Sequence, residues 1–131
     1  MRPDRPWVLV VDDDEEVRET IAVVLAQYGL RSVGAPSGLV ALELLRDAPP
    51  PRVVLLDLRM PQMSGAELVR AMRRDPALAG TPIVIMSGDS GAGHLAEQLD
   101  AEACLRKPFE LGSLVATVRR FVGHRPDLPM T

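Results

Sequence analysis

The chain has 131 residues, of which 47% are apolar and 25% charged, and a net charge of −3. That length suits one domain with a core of its own, and the charge leaves neither a basic footprint for nucleic acid nor a polybasic membrane signal. The single cysteine, Cys104, excludes an internal disulfide, and no apolar run resembles a signal peptide or a membrane span, so a reducing cytoplasm is the expected setting.

Residues 1–6 carry two prolines and three charges and read as a short disordered lead-in. Trp7 to Val11 is a continuous apolar run, the mark of a strand covered on both faces. It stops abruptly at Asp12-Asp13-Asp14-Glu15-Glu16, an acidic stretch that suits a helix N-terminus, with Asp14 as N-cap. Val17, Ile21, Val24, Leu25 and Tyr28 then follow helical spacing on one face, and Gly29 is a fitting stop. Arg31 to Ala35 is short and polar, as an edge strand would be. Ser37 caps a helix through about Asp47, with Leu39, Ala41, Leu42 and Leu45 inward, and three prolines end it.

The next run, Val53 to Leu56, ends in Asp57. Pro61 blocks continuation, Ser64 is a good N-cap, and Glu67 three residues on completes a capping box. The helix from Gly65 to about Asp75 turns Leu68, Val69 and Met72 inward and leaves Arg70, Arg73 and Arg74 as a solvated face. After a loop, Pro82 to Met86 is a fourth apolar strand running into Ser87-Gly88. Ala92 to Leu99 is only weakly helical, and Ala101 to Leu105 is a short strand leading to Arg106-Lys107-Pro108. The last helix, about Glu110 to Val122, stripes Leu111, Leu114, Val115, Val118 and Val122; residues 123–131 read as a tail or a linker cut short.

Five βα units with apolar strands imply an α/β fold: a doubly wound parallel sheet with helices on both faces. The common five-stranded order is 2-1-3-4-5, and ligands then bind where strands 1 and 3 end. Those ends carry Asp12, Asp13 and Asp57, with Ser87 and Lys107 ending the fourth and fifth strands. At an effective dielectric of ~20, each pair of carboxylates about 5 Å apart costs roughly 3 kcal/mol. A hard divalent cation relieves that cost, and oxygen ligands with open positions suit Mg²⁺. Such a site beside a lysine and a hydroxyl fits phosphoryl transfer. Asp57 is then the nucleophile, Lys107 neutralises phosphoryl oxygens and Ser87 donates a hydrogen bond.

These residues resemble a known family. Val10-Val11-Asp12-Asp13, Asp57-Leu58-Arg59-Met60-Pro61 with Gly65, Ser87-Gly88 and Lys107-Pro108-Phe109 are similar to the receiver domain of bacterial two-component response regulators, over about Trp7 to Val122. The resemblance implies a flavodoxin-like receiver fold with the same strand order, so that order is no separate inference. It implies that Asp57 takes the phosphoryl group from a histidine kinase or histidine phosphotransferase. Asp13, Asp57 and the backbone carbonyl of Arg59 would be direct Mg²⁺ ligands, with Asp12 acting through water. Ser87 would be the switch hydroxyl, and the Lys107–Pro108 peptide would be cis. Phosphorylation would shift a population, moving Ser87, Lys107, the loops after strands 3 and 4 and the fourth helix. A downstream target protein, or a second copy, would meet the face of the fourth helix, fifth strand and fifth helix. Neither direct nucleic-acid contact nor membrane insertion is expected.

One position departs from the pattern. The family usually places Tyr or Phe three residues before the lysine, where this chain has Cys104, so the usual coupling of hydroxyl to aromatic cannot run in its common form. Cys104 reads as a small buried strand residue and His94 as a surface one. Arg59 and Asp89, each two residues beyond a site residue, are expected to approach each other and screen the acyl phosphate from water. Rival readings fit less well. A haloacid-dehalogenase-like phosphatase wants a second Asp where Arg59 stands, and a flavodoxin-like cofactor carrier would meet five acidic residues after its first strand. A pseudo-receiver without phosphorylation keeps only Cys104 in its favour. Within the family, 131 residues leave no room for a DNA-binding or enzymatic output domain, which favours a stand-alone receiver, although a proline-bearing tail also suits a receiver excised from a longer regulator or hybrid kinase.

Overall fold

The computed structural model describes residues 7–60, 62–88 and 92–122. The expectations for residues 1–6, residues 123–131, Pro61 and Asp89 lie outside that set. Five strands alternate with five helices: β1 Trp7–Val11, α1 Glu15–Gln27, β2 Arg31–Ala35, α2 Gly38–Asp47, β3 Val53–Asp57, α3 Gly65–Arg74, β4 Ile83–Ser87, α4 Ala92–Gln98, β5 Ala103–Arg106 and α5 Leu111–Val122. The sheet is parallel in the order β2-β1-β3-β4-β5, as expected.

Strand alternation divides the core in two. Leu9, Val11, Val54, Leu56, Ile83 and Ile85 face one side and pack with α2, α3 and α4. Val8, Val10, Val53, Leu55, Val84 and Met86 face the other and pack with α1 and α5. Because β1, β3 and β4 are apolar at every core position, neither sheet face is left to solvent. Each such side chain contributes about 1.5–3 kcal/mol by leaving water.

The caps fall on the expected residues. Asp14 Oδ1 accepts the Glu16 N–H at 2.9 Å and Ser37 Oγ the Val40 N–H at 3.2 Å. Ser64 and Glu67 close the reciprocal capping box, with bonds of 3.2 and 2.9 Å. The Ser64 N–H on its carboxylate holds Glu67 below the usual glutamate range.

Several expectations are corrected. Tyr28, Leu39 and Leu111 are exposed, not inward. Each lies at a helix end, where one residue more or less rotates the face away from the core. Tyr28 instead carries the Arg119 guanidinium over its ring, 5.8 Å from the centroid. The fifth strand begins two residues later than expected, at Ala103. Arg73 is not part of a solvated face. Its guanidinium donates to the carbonyls of Ala79 (2.8 Å), Thr81 (2.9 Å) and Asp100 (3.3 Å) and to Glu102 Oε1 (3.2 Å). The same Glu102 oxygen accepts the Ile83 N–H at 2.7 Å. Arg73 therefore ties the end of α3 to the starts of β4 and β5.

Candidate functional site

A parallel sheet delivers the carboxyl ends of all its strands to one rim. β1 ends at Val11, so Asp12 and Asp13 leave the sheet there, and Asp57 is the last residue of neighbouring β3. One carboxylate oxygen from each of Asp12, Asp13 and Asp57 lies within 4.8 Å of the others. Lys107, just past β5, reaches across the rim: its Nζ stands 2.6 Å from Asp12 Oδ2 and 3.4 Å from Asp57 Oδ2. The structure thus brings together four of the expected side chains. Ser87 ends β4 one residue beyond the Asp57–Met86 pairing and is buried. Arg59 directs its backbone N–H to Asp57 Oδ1 at 3.1 Å. The Lys107–Pro108 peptide is cis.

Asp12 is fully buried, and its polar atoms are all matched. Its N–H donates to the Ala35 carbonyl (3.1 Å) and its own carbonyl accepts from Arg18 Nη1 (2.6 Å). Oδ1 accepts the Asp14 N–H (2.9 Å) and Oδ2 the Lys107 ammonium. Its carboxylate is therefore occupied by the protein itself, whereas Asp13 is exposed. Burial pushes the Asp57 carboxyl up from its ordinary range. The Arg59 N–H and the Lys107 charge draw it back only in part, and Asp12 adds to the rise. Burial alone would lower the Lys107 ammonium, but the hydrogen bond to Asp12 and the charges of Asp12 and Asp57 outweigh it and leave it raised.

The donor set fits a hard divalent cation. Three carboxylates against one ammonium leave two negative charges, and the donors are all oxygen. The exposed Asp13 keeps one side open to water, which Mg²⁺ retains in most of its protein sites.

Two supporting residues were not foreseen from the sequence. Arg18 holds the Asp12 carbonyl, and Gly34 makes room for it, since a Cβ there would stand 3.2 Å from Arg18 Cδ. The available signal was the glycine inside a strand, which often marks a close approach. Beside Lys107 opens a cavity of about 490 Å³ lined by Val17, Thr20, Ile21, Phe109 and Leu111. Cys104 is half-buried and packs on the α2–α3–α4 side of the sheet; burial raises its thiol, with Arg106 opposing. His94 is exposed.

Known proteins share this fold. MtrA of Mycobacterium tuberculosis strain H37Rv, a DNA-binding response regulator, is 34% identical over 127 residues, which is 95% of this chain and 54% of that protein. The chain thus spans about half the length of the curated relative. Among solved structures, the chemotaxis response regulator CheY4 of Vibrio cholerae superposes with a TM-score of 0.82 at 28% identity, covering 89% of this chain and 98% of that one. A response regulator receiver protein from Pseudomonas putida gives 0.81 at 33% identity, covering 88% and 97%. The sequence pattern of the response regulator receiver domain matches residues 8–119. A match that starts inside β1 and stops inside α5 spans the whole fold just described, and this chain belongs to the response regulator receiver domain family.

Proposed function

We propose that Asp57 is the phosphoacceptor of a Mg²⁺-dependent signalling switch. The observation that carries this reading is the convergence of Asp12, Asp13, Asp57 and Lys107 at one sheet rim. The donor is a phosphohistidine on a kinase or histidine phosphotransferase. An Asp57 carboxylate oxygen forms a bond to phosphorus as the N–P bond breaks, and the electron pair returns to the imidazole nitrogen. The product is an acyl phosphate, which water later hydrolyses to restore the carboxylate. The only chemistry assigned to the chain is this loading and unloading of itself.

Each residue has a role that follows from its place. Burial disfavours the charge of Asp57 and raises its carboxyl above the ordinary range, which suits a nucleophile. Lys107 already holds Asp57 and swings little to pair with a phosphoryl oxygen. Ser87, on the adjacent strand end, donates its hydroxyl to another oxygen. Asp13, Asp57 and the Arg59 carbonyl would hold Mg²⁺, and Asp12 would reach it through water because its own oxygens are engaged. When bound, the ion supplies charge neutralisation at the phosphoryl oxygens.

The donor protein must cover the rim to reach Asp57. The apolar cavity between α1 and the start of α5, with Lys107 at its edge, gives it a surface to bury. Output passes to a target protein, or to a second copy, through the α4–β5–α5 face, and the protein works in the cytoplasm. Cys104 in place of an aromatic makes that readout differ from the usual one.

Incubation with acetyl phosphate and Mg²⁺ followed by intact mass tests the reading. A gain of one phosphoryl group that Asp57→Asn abolishes supports it. An unchanged wild-type mass under these conditions would overturn it in favour of a pseudo-receiver.

A further inference from the structure

The loop that leaves Asp57 is held at two places by missing side chains. At its far end, a Cβ on Gly65 would stand 2.7 Å from the Asp57 carbonyl oxygen and 2.7 Å from Leu58 Cα. The Gly65 N–H also donates to the Leu58 carbonyl at 3.1 Å. The loop's outer bend meets a second glycine on a different element. Gly38, the buried first residue of α2, is so close to Met63 that a Cβ there would lie 2.5 Å from the Met63 carbonyl oxygen. It would also stand 2.9 Å from Met63 Cγ and 3.0 Å from Met63 Cβ. Directly before Met63 lies Gln62, a non-glycine residue held at φ +67°.

Nothing about α2 itself requires a glycine at position 38. The helix is capped by Ser37, and alanine is a better helix former than glycine. The bare face is used by Met63 instead. Met63 shares its short loop with Arg59, whose N–H binds Asp57 Oδ1.

We propose that Gly38 is a positioning residue for the acidic site: the seat it offers Met63 sets the path of the β3–α3 loop and so the strength of Mg²⁺ binding. The inference rests on the metal reading of Asp12, Asp13 and Asp57. Gly38 touches none of those carboxylates and acts through Met63. With alanine at position 38, the Met63 carbonyl must retreat from 2.5 Å to about 3.4 Å to reach ordinary contact, and the Arg59 end of the loop moves with it.

The test is titration calorimetry of Mg²⁺ into the full chain, paired with the amide NMR shift of Arg59 in metal-free protein. Gly112→Ala is the control, being also in the first turn of a helix but with nothing within 4 Å of its Cβ. Gly38→Ala is expected to weaken Mg²⁺ binding about tenfold, the scale of losing an outer support of a metal ligand, and to move the Arg59 amide. Gly112→Ala is expected to do neither. Met63→Ala, which loosens the seat without a clash, is expected to weaken binding in the same direction and covers the case in which Gly38→Ala does not fold. An unmoved Arg59 amide with wild-type Mg²⁺ affinity in Gly38→Ala, or in Met63→Ala if the former is unfolded, overturns the proposal. If the wild type takes up no Mg²⁺, the metal reading of the cluster fails, and the amide shift still decides whether Gly38 positions the loop.

Discussion

Asp57 and Asp12 solve the problem of a buried carboxylate in opposite ways. Asp12 has a partner for each polar atom and leans on Lys107 at 2.6 Å. Asp57 has one backbone N–H and a longer contact to the same ammonium, so its charge is less compensated. Its carboxyl is raised in the folded protein, chiefly by burial, so the folded state binds this proton more tightly than the unfolded chain does. Stability therefore falls as pH rises through the raised value, and at neutral pH the ionised Asp57 is a net cost. Asp57→Asn is expected to raise the urea midpoint at pH 7 without Mg²⁺, because the uncompensated charge is removed. The gain should vanish once pH falls below the unfolded carboxylate range, near 3.8. A variant less stable than wild type at pH 7 would contradict this. The convergence of Asp12, Asp13, Asp57 and Lys107 was legible in the sequence because each lies just past the end of an expected strand of one parallel sheet. The difference between Asp12 and Asp57 was not, because it depends on how closely the Lys107 ammonium, from the far end of the sheet, stands to each carboxylate.

Elements were most legible where burial is two-sided. β1 and β3 match their apolar runs, since a strand covered on both faces has no polar residue to blur its ends. Helix ends were harder: Tyr28, Leu39 and Leu111 fit a helical stripe by spacing yet stand in solvent. β5 was displaced because its edge position leaves it half-exposed, with little apolar contrast to mark its start. Arg73 shows what periodicity cannot carry, since its partners lie at positions 79, 81, 100 and 102. Its loss would leave Glu102 without its cation while Glu102 still holds the Ile83 N–H. Arg73→Ala is expected to destabilise the fold by about 1–2 kcal/mol, read from a denaturant midpoint, whereas Arg74→Ala should fall within about 0.5 kcal/mol. Equal effects from the two would refute the tie between α3 and β5.

At the scale of the whole molecule, two cores on opposite sheet faces hold a rim that belongs to neither. Mg²⁺ that binds only the folded rim must stabilise the fold by linkage. At about ten times its Kd the gain is roughly 1.4 kcal/mol, visible as a rise in Tm that EDTA reverses. Asp13→Ala should abolish the rise with little change in Tm without metal, because the Asp13 side chain is exposed and outside both cores. A rise that survives Asp13→Ala would remove this residue from the ligand set. The fold was legible as a whole because βα alternation with apolar strands leaves few topologies. The proposed readout was not, since Cys104 stands where the family usually has an aromatic. The two-core arrangement also has a bearing on how such a protein diversifies. The interior of β1, β3 and β4 bears the burden of folding, and under the proposed function the rim loops bear that of recognition. Exposed rim positions such as Arg59 can drift from one descendant to the next without repacking either core, so a new partner can be acquired while the ancestral scaffold persists.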